Sequence, residues 1–148
     1  MSDYKKTKEV AKPIEEVYKA ISMGIPDWWT NDYSGSASST GDKFIVSFNK
    51  TTKTFEIVEA EVNDHITWLC TKAYIDMKTL NKKDEWEGTK LFWSLTPTNS
   101  GTSITFTHEG LNPAFECYNV CEDGWNYFLS SLETYLNTGK GTPHLKKG

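Results

Sequence analysis

The spacing of apolar residues changes along this chain, and that change dictates its architecture. Between Phe44 and Glu109, apolar side chains recur at every second position over several short segments, which is typical of strands with one buried face. From Phe115 to Asn137 they fall three to four positions apart, as they do along one face of a helix. Because the strands precede the long helix instead of alternating with helices, the order predicts an α+β domain with an antiparallel sheet packed against that helix.

Shorter patterns predict the remaining elements. Pro13 opens a predicted short helix over residues 13–22, because the first turn of a helix tolerates proline. The stretch 74–90 is predicted to hold two further strands that end near Trp86, with a turn signal at residues 81–84 between them. The other predicted strands cover residues 7–11, 44–48, 54–62, 65–73, 91–95 and 104–109. We expect about six to seven of all these segments to pair in one curved antiparallel sheet.

The length of 148 residues suits one domain. We therefore expect a single domain over residues 1–148, with a core of about 4–138 and a polar tail of 139–148. Three cysteines are an odd number in a chain that can bury a core without staples, which indicates reduced thiols. No apolar run approaches the ~20 residues of a membrane helix, and the N-terminus lacks a signal-peptide pattern. These features predict a cytoplasmic protein without membrane insertion.

The charge pattern disfavours nucleic acid as a partner. The formal net charge is -4, and all sixteen Lys and Arg positions are Lys. Arginine is the side chain that binds phosphate and guanine in a bidentate way, so its absence removes the usual means of reading nucleic acid. Lysine can bind phosphate as a point charge, but no glycine-rich phosphate loop accompanies it.

Aromatic residues are numerous, with six Trp, seven Tyr and seven Phe. Strand parity places Trp68, Trp93 and Phe106 on the sheet face that meets Trp125 and Phe128 of the long helix. Each ring taken alone is explained by core packing. Five bulky rings rarely close-pack completely, so the set predicts an apolar pocket that the rings partly line.

Several other residues have two readings. At least one of the adjacent Trp28 and Trp29 is predicted to cap the pocket mouth or to lie exposed, since neighbouring indoles cannot both face one core. Such a residue is either a mobile lid or an ordinary buried anchor. His108 shares a strand face with Phe106, and is either a polar group of the pocket or a satisfied core histidine. Gly124 lies inside the long helix, where it costs roughly 1 kcal/mol relative to Ala, so it marks a close approach or is a tolerated flaw.

The cysteines and carboxylates provide no recognisable catalytic or metal site. Cys117 and Cys121 are four residues apart on one helix face, and are either apolar fillers or thiols that face the pocket. Cys117 is nearest the helix start and is the candidate reactive thiol, because a helix N-terminus lowers a thiol pKa. No second ligand has metal-binding spacing with His108. We expect no catalytic residue, no metal and no cofactor, and we read Asp84, Glu85 and Glu87 as a solvated acidic run.

Several segments, in this order and spacing, resemble the SRPBCC (START-like, Bet v-type) superfamily, and within it the AHSA-type homologues of heat-shock-chaperone ATPase activators. The matching segments are Pro13–Ile21 after a first strand, Trp28-Trp29, Gly41-Asp42-Lys43-Phe44, residues 101–111, Gly124-Trp125 and residues 129–136.

The resemblance implies a helix-grip fold, in which a strongly bent antiparallel sheet holds the long C-terminal helix and leaves a deep pocket. Relatives bind lipids, hormones or polyketides, a few are cyclases or hydrolases, and some stimulate a chaperone. Fold alone does not decide among these functions.

The leading hypothesis is that the cavity between sheet and helix binds a small apolar or aromatic molecule without catalysis. The first alternative is a co-chaperone-like stimulator of a heat-shock ATPase, although the full activators carry a separate domain ahead of this one. The second is a cyclase- or hydrolase-type enzyme in which His108 or Glu109 moves a proton, and a homodimer is also left open. The residues predicted to line the cavity are Trp29, Phe48, Trp68, Cys70, Trp93, Phe106, His108, Cys121, Trp125 and Phe128.

Overall fold

The computed structural model describes residues 2–146 as a seven-stranded antiparallel sheet, two short helices and one long C-terminal helix. The strand order across the sheet is β1-β7-β6-β5-β4-β3-β2. The predicted α+β, helix-grip fold class is confirmed. The elements are β1 (Tyr4–Val10), α1 (Ile14–Ser22), α2 (Ile25–Trp28), β2 (Tyr33–Gly35), β3 (Lys43–Phe48), β4 (Thr51–Glu61), β5 (His65–Tyr74), β6 (Lys90–Pro97), β7 (Thr102–Glu109) and α3 (Tyr118–Thr138).

The sheet bends at its centre. Strand β4 shifts register against β5 between Thr54 and Phe55, and again between Ile57 and Glu59. Such irregularities add local twist and bend the strand. The long strands β4 and β5 therefore curve, so that the concave face follows the helix.

The first strand is longer than the sequence pattern predicts. It begins at Tyr4, because Tyr4 pairs with His108 of β7 and its backbone N–H donates to Leu111 O at 2.7 Å. The Tyr4 hydroxyl also donates to Asn126 Oδ1 of α3 at 2.7 Å. Strand β1 thus ties the edge of the sheet to the long helix.

The prediction of two strands between residues 74 and 90 is wrong. After β5 ends at Tyr74, the chain forms turns as far as Lys90. Side chains satisfy the backbone there in place of a strand partner: the Lys83 ammonium donates to Met77 O and Leu80 O at 2.6 and 2.5 Å. We call residues 75–89 the crossing loop, because they run from β5 to β6 and contact the start of α3 on the way.

The sequence indicated that the acidic residues of the crossing loop are solvated, but two of them bind backbone N–H groups. The Glu85 carboxylate accepts the backbone N–H groups of Glu116 and Cys117 at 3.0 and 3.1 Å. These groups lie where α3 begins and have no acceptor within the helix, so Glu85 acts as its cap. Glu87 accepts the Ala73 N–H at 3.2 Å. Helix α3 ends at Gly139, whose φ of 88° is the left-handed conformation that favours glycine at this position.

The chain beyond α3 folds back onto the body of the protein. His144 N–H donates to Trp29 O at 2.8 Å, and Asn31 N–H donates to His144 O at 3.0 Å. The Ser131 hydroxyl donates to Trp28 O and accepts the Thr142 N–H, both at 2.7 Å. The segment from 140 to 146 therefore holds the Trp28-Trp29 turn against α3. None of the helices within residues 2–146 has the length and apolar character needed to span a membrane.

His108 joins three parts of the fold through one chain of hydrogen bonds. Its Nδ1 accepts the indole N–H of Trp125 at 3.2 Å, so the ring proton resides on Nε2. Nε2 then donates to Thr89 Oγ1 at 2.9 Å, and that hydroxyl donates to Trp86 O at 2.6 Å. Every polar atom of the ring is satisfied in the neutral form. His108 is therefore a satisfied core histidine, the second of its two readings.

Burial, with a smaller contribution from the Lys53 charge, lowers the pKa of His108 from 6.5 to about 3. In the unfolded chain the imidazole protonates below pH 6.5, whereas the folded protein keeps it neutral. We expect the free energy of unfolding to fall by about 1.5 kcal/mol between pH 6.5 and about pH 5. Urea denaturation of the wild type at both pH values measures this slope, and His108→Gln is expected to remove it.

His65 provides the matched control. Hydrogen bonds to Asp64 and Glu59 raise the pKa of His65. Its stabilising contribution to the free energy of unfolding is therefore complete below pH 6.5 and is lost only as the pH rises further. The slope below pH 6.5 should therefore persist in His65→Gln. Equal stability of the wild type at the two pH values would contradict the neutral, buried state of His108.

Candidate functional site

A cavity of about 230 Å³ lies between strand β4, the crossing loop and one face of α3. Val120 is exposed and Phe48 and Phe128 are half-buried, so the cavity opens to solvent at that end. Its walls are mainly apolar. The lining residues are Trp29, Phe48, Thr51, Lys53, Ile75, Met77, Trp86, Val120, Cys121, Gly124, Trp125 and Phe128.

Stacked indoles form the inner wall. The ring of Trp29 lies 5.1 Å from that of Trp125, centroid to centroid, and the two planes are inclined by 29°. Trp86 also stacks on Trp125, with ring centroids 5.9 Å apart and planes inclined by 10°. Phe48 adjoins Trp29 at 5.7 Å and Phe128 at 5.6 Å. Flat rings in these arrangements hold their positions by mutual contact, so the wall is rigid and apolar.

The structure divides the ten predicted lining residues into two groups. Five line the cavity: Trp29, Phe48, Cys121, Trp125 and Phe128. The other five are buried in the packed core behind it and do not line it: Trp68, Cys70, Trp93, Phe106 and His108.

The core group packs more tightly than the sequence indicated. Phe106 lies 4.3 Å from Trp125 and 4.4 Å from Trp93, so these rings fill the space between sheet and helix. The buried Nε1 atoms of Trp68 and Trp93 have no hydrogen-bond partner within residues 2–146. An indole N–H can therefore be buried without a partner in this core. The polar atom of a Trp ring does not indicate whether that ring lines the cavity or lies in the packed core.

The prediction that Trp28 and Trp29 cannot both face the core is wrong. Both are buried, and their rings stack at 5.9 Å with an interplanar angle of 8°. The reason is α2, a single turn that directs Trp28 towards α1, where its Nε1 donates to Ala20 O at 2.9 Å. Trp29 follows α2 and reaches the cavity wall.

Lys53 is the unexpected member of the lining. Its side chain is only 9% exposed and carries an ammonium 3.6 Å from the centroid of the Trp86 ring and 5.6 Å from that of Phe48. It forms no ion pair with any carboxylate of residues 2–146. Burial lowers the pKa of Lys53, because removing the ammonium from water disfavours its charged form.

The three cysteines are free thiols with different surroundings. Contact with the Cys117 thiol lowers the pKa of Cys121, and the Lys53 ammonium and the Trp86 indole N–H, which donates to Cys121 Sγ at 3.3 Å, lower it further. The same contact and burial raise the pKa of Cys117, and burial raises that of Cys70 to about 12. The sequence favoured Cys117 as the reactive thiol, but the structure favours Cys121.

Sequence reasoning missed two residues of the site, and both carried a usable signal. Lys53 shares strand parity with Phe55 and Ile57, which are buried in β4, so the pattern placed a lysine on the inner face. Trp86 is an isolated indole in a charged run, and such a ring needs an apolar partner elsewhere. Gly124, which the sequence singles out, lines the cavity, and a Cβ placed there would meet no atom of the described residues within 4 Å.

No cluster of three or more His, Cys, Asp or Glu side chains within residues 2–146 is arranged to hold a metal ion.

The thiol geometry predicts site-selective alkylation. We expect iodoacetamide at neutral pH to modify Cys121 before Cys70 and Cys117, because only Cys121 combines a lowered pKa with a position on the cavity wall. Peptide mass spectrometry of the folded protein measures the order of labelling, and Cys121→Ser should remove the fast phase. Modification of Cys70 or Cys117 first, or a Cys121 rate below that of a free peptide thiol, would contradict this assignment.

Comparison with solved structures gives the same fold. The Aha1 dimer from Colwellia psychrerythraea, solved in solution, is 26% identical, with a TM-score of 0.79 over 95% of this chain and 100% of that one. A protein from Staphylococcus saprophyticus is 19% identical, with a TM-score of 0.73 over 97% and 98% of the two chains. DynU16, from the dynemicin biosynthetic locus, is 20% identical, with a TM-score of 0.72 over 99% of this chain and 52% of its own.

None of the curated protein sequences compared with this chain matches it. The family described as "Activator of Hsp90 ATPase homolog 1-like protein" matches residues 11–137, from the end of β1 almost to the end of α3. That match spans most of the chain, and it includes strands β2 to β7, the crossing loop and the cavity-lining face of the helix. The chain therefore belongs to the family of Activator of Hsp90 ATPase homolog 1-like proteins, an AHSA-type branch of the SRPBCC fold.

Proposed function

We propose that this protein binds a small apolar or aromatic molecule in the cavity between β4, the crossing loop and α3. The observation that carries the proposal is the wall itself, in which Trp29, Trp86 and Trp125 stack around a space that protein atoms leave open. Sites for small molecules are concave and mostly apolar, with a few polar groups that orient the ligand. Here Lys53, Thr51 and Cys121 are those polar groups.

The volume limits the size of the ligand. An apolar cavity of about 150 Å³ accepts a benzene molecule, whereas drug-sized ligands occupy sites of roughly 300 Å³ and more. At about 230 Å³, this cavity suits one aromatic ring with a small substituent, or an aliphatic molecule of similar size. A lipid with two long chains exceeds it.

Gly124 supports a binding role because it gives up helix stability to keep the cavity open. A glycine within a helix costs roughly 1 kcal/mol relative to alanine. No neighbouring backbone within residues 2–146 demands a glycine, since a Cβ at this position would meet none of their atoms within 4 Å. The space it leaves is part of the cavity and faces Cys121 and Phe128 on the same wall.

Filling this space should block binding. We expect Gly124→Leu to weaken binding of indole, a neutral aromatic probe, by roughly tenfold or more, because the new side chain occupies the cavity. Gly124→Ala should retain most of the affinity and raise the free energy of unfolding by about 0.5–1 kcal/mol. Protein-observed NMR titration gives the affinities, and urea denaturation gives the stabilities.

Ser130→Leu is the matched control, because residue 130 is exposed on the same helix and does not line the cavity. It adds the same side chain to α3 without entering the site, so indole affinity should stay at the wild-type value. Unchanged affinity in Gly124→Leu would show that indole binds elsewhere, and absence of indole binding to the wild type would contradict the proposal for neutral single-ring ligands.

The second candidate function is stimulation of an Hsp90-type ATPase. It is favoured by the 26% identity to the Colwellia Aha1 protein over 100% of that chain. We expect the ATPase rate of the cognate chaperone to rise on addition of this protein, in a coupled assay. No stimulation at saturating protein would eliminate this candidate. Because that relative is a dimer, light scattering of the sample used in the assay tests whether this chain also self-associates.

The cytoplasm is the setting we propose for either function. Cys70, Cys117 and Cys121 are all free and buried in the folded protein. Thiols are maintained in this state in a reducing compartment. An unpaired Cys121 beside Lys53 would be vulnerable to oxidation elsewhere.

A further inference from the structure

We propose that the ligand of this cavity is a monoanionic, single-ring aromatic acid, whose carboxylate pairs with Lys53 and whose ring lies against the stacked indoles. This inference deepens the proposed function and rests on it. The shape of the cavity alone would accept any small apolar molecule, whereas this inference names one chemical class of ligand.

The first step is the unpaired ammonium. Lys53 is nine-tenths buried, projects from β4 to the cavity wall, and has no ion-pair partner within residues 2–146. An ammonium has three N–H donors, and burying them without acceptors is unfavourable. The Trp86 ring at 3.6 Å compensates in part through its π face, but it accepts no conventional hydrogen bond.

The second step is the absence of a competing carboxylate from the lining. None of the lining residues in the described chain is Asp or Glu. The ionisable groups whose charges act on Lys53 are the thiols of Cys121, Cys70 and Cys117, of which only Cys121 lines the cavity. A carboxylate that enters the cavity would therefore meet a cation without a carboxylate to repel it.

A third group can help to orient the acid. Thr51 lines the cavity on the same strand as Lys53, and its hydroxyl oxygen accepts the Asp76 N–H at 2.9 Å. That contact leaves the hydroxyl proton available for donation to a ligand oxygen. Lys53 and Thr51 are two residues apart in β4, so both project from the same face of the strand.

The walls exclude the other anions and the cations. Inorganic phosphate or acetate would fill little of the apolar space and would forgo contact with Trp29, Phe48 and Trp125. A ligand ammonium would be repelled by Lys53. A neutral ring would gain the apolar contacts but leave the lysine unpaired. Only a ring that carries an acid satisfies both the walls and the buried charge.

The test compares benzoate with benzamide, its neutral analogue of nearly equal shape, by protein-observed NMR titration of the full chain. We expect the wild type to bind benzoate about tenfold or more tightly than benzamide, the factor that one charge-assisted hydrogen bond supplies. Lys53→Met retains the length and apolar stem of lysine, and it should abolish this preference while benzamide still binds. Acetate should bind far more weakly than benzoate to every variant.

Lys50→Met is the matched control, because it removes one lysine charge from an exposed position three residues away and outside the cavity. It should keep the wild-type preference for benzoate. Lys53→Met should be at least as resistant to urea as the wild type, since a desolvated charge without an ion-pair partner has been removed. A lysine with a merely structural role would instead lower the stability when replaced.

The outcomes separate the two proposals. Equal affinity of the wild type for benzoate and benzamide overturns the acid preference but leaves small-ligand binding intact, whereas binding of neither overturns both for single-ring ligands. A preference that survives Lys53→Met overturns the role of Lys53. If Lys53→Met does not fold, alkylation of Cys121 in the wild type decides: benzoate should slow it, acetate and benzamide at equal concentration should not, and absence of protection by benzoate overturns the proposal.

Discussion

The Trp125 indole is the contact on which the arrangement of this protein depends. From α3 it packs at 4.3 Å against Phe106 of the sheet and stacks with Trp29 and Trp86 at 5.1 and 5.9 Å. Its N–H also fixes the tautomer of His108. One side chain therefore sets the distance between helix and sheet and also holds the crossing loop in place. Because indoles are wide and rigid, loss of this ring would leave a void that smaller neighbours could not fill.

The cavity follows from what surrounds Trp125 along the helix. Cys121, one turn towards the N-terminus, and Gly124, the residue before Trp125, are too small to reach the bent sheet. Trp86 of the crossing loop covers the opening instead. Towards the C-terminus, Leu129, Leu132 and Leu136 are buried, and the cavity beside Leu136 is lined mainly by polar side chains of α1 and its flank, such as Lys12, Glu16 and Lys19. The gradient from small to large residues along one helix face thus closes the core at one end and leaves a site at the other. Glu85 anchors the loop to the start of α3 and so holds the cover in position.

Local periodicity predicts the framework, because a period of two or of 3.6 is a property of neighbouring residues. Helix α1, the long helix and most strands were found in this way, and parity brought Phe106 and Trp125 together correctly. Periodicity could not predict the crossing loop, because the conformation of the loop depends on side-chain contacts such as those of Lys83 with two carbonyl groups. Parity also gives only the face of a strand. It could not separate Trp68 and Trp93, in the packed core, from Phe48, at the cavity, because that difference arises from the curvature of the sheet.

Net charge and local charge act on different ligands here. The formal net charge of -4 opposes a polyanion, whose many charges interact with the whole surface. That field is screened over about 8–10 Å at physiological ionic strength. A small monoanion inside the cavity is instead governed by the nearest charge, and the nearest is Lys53, in surroundings of low dielectric constant. The proposed preference for a single carboxylate is therefore compatible with a negative net charge. The absence of arginine fits this division, because a point charge on a flexible stem adapts to a small acid without the fixed fork of a guanidinium.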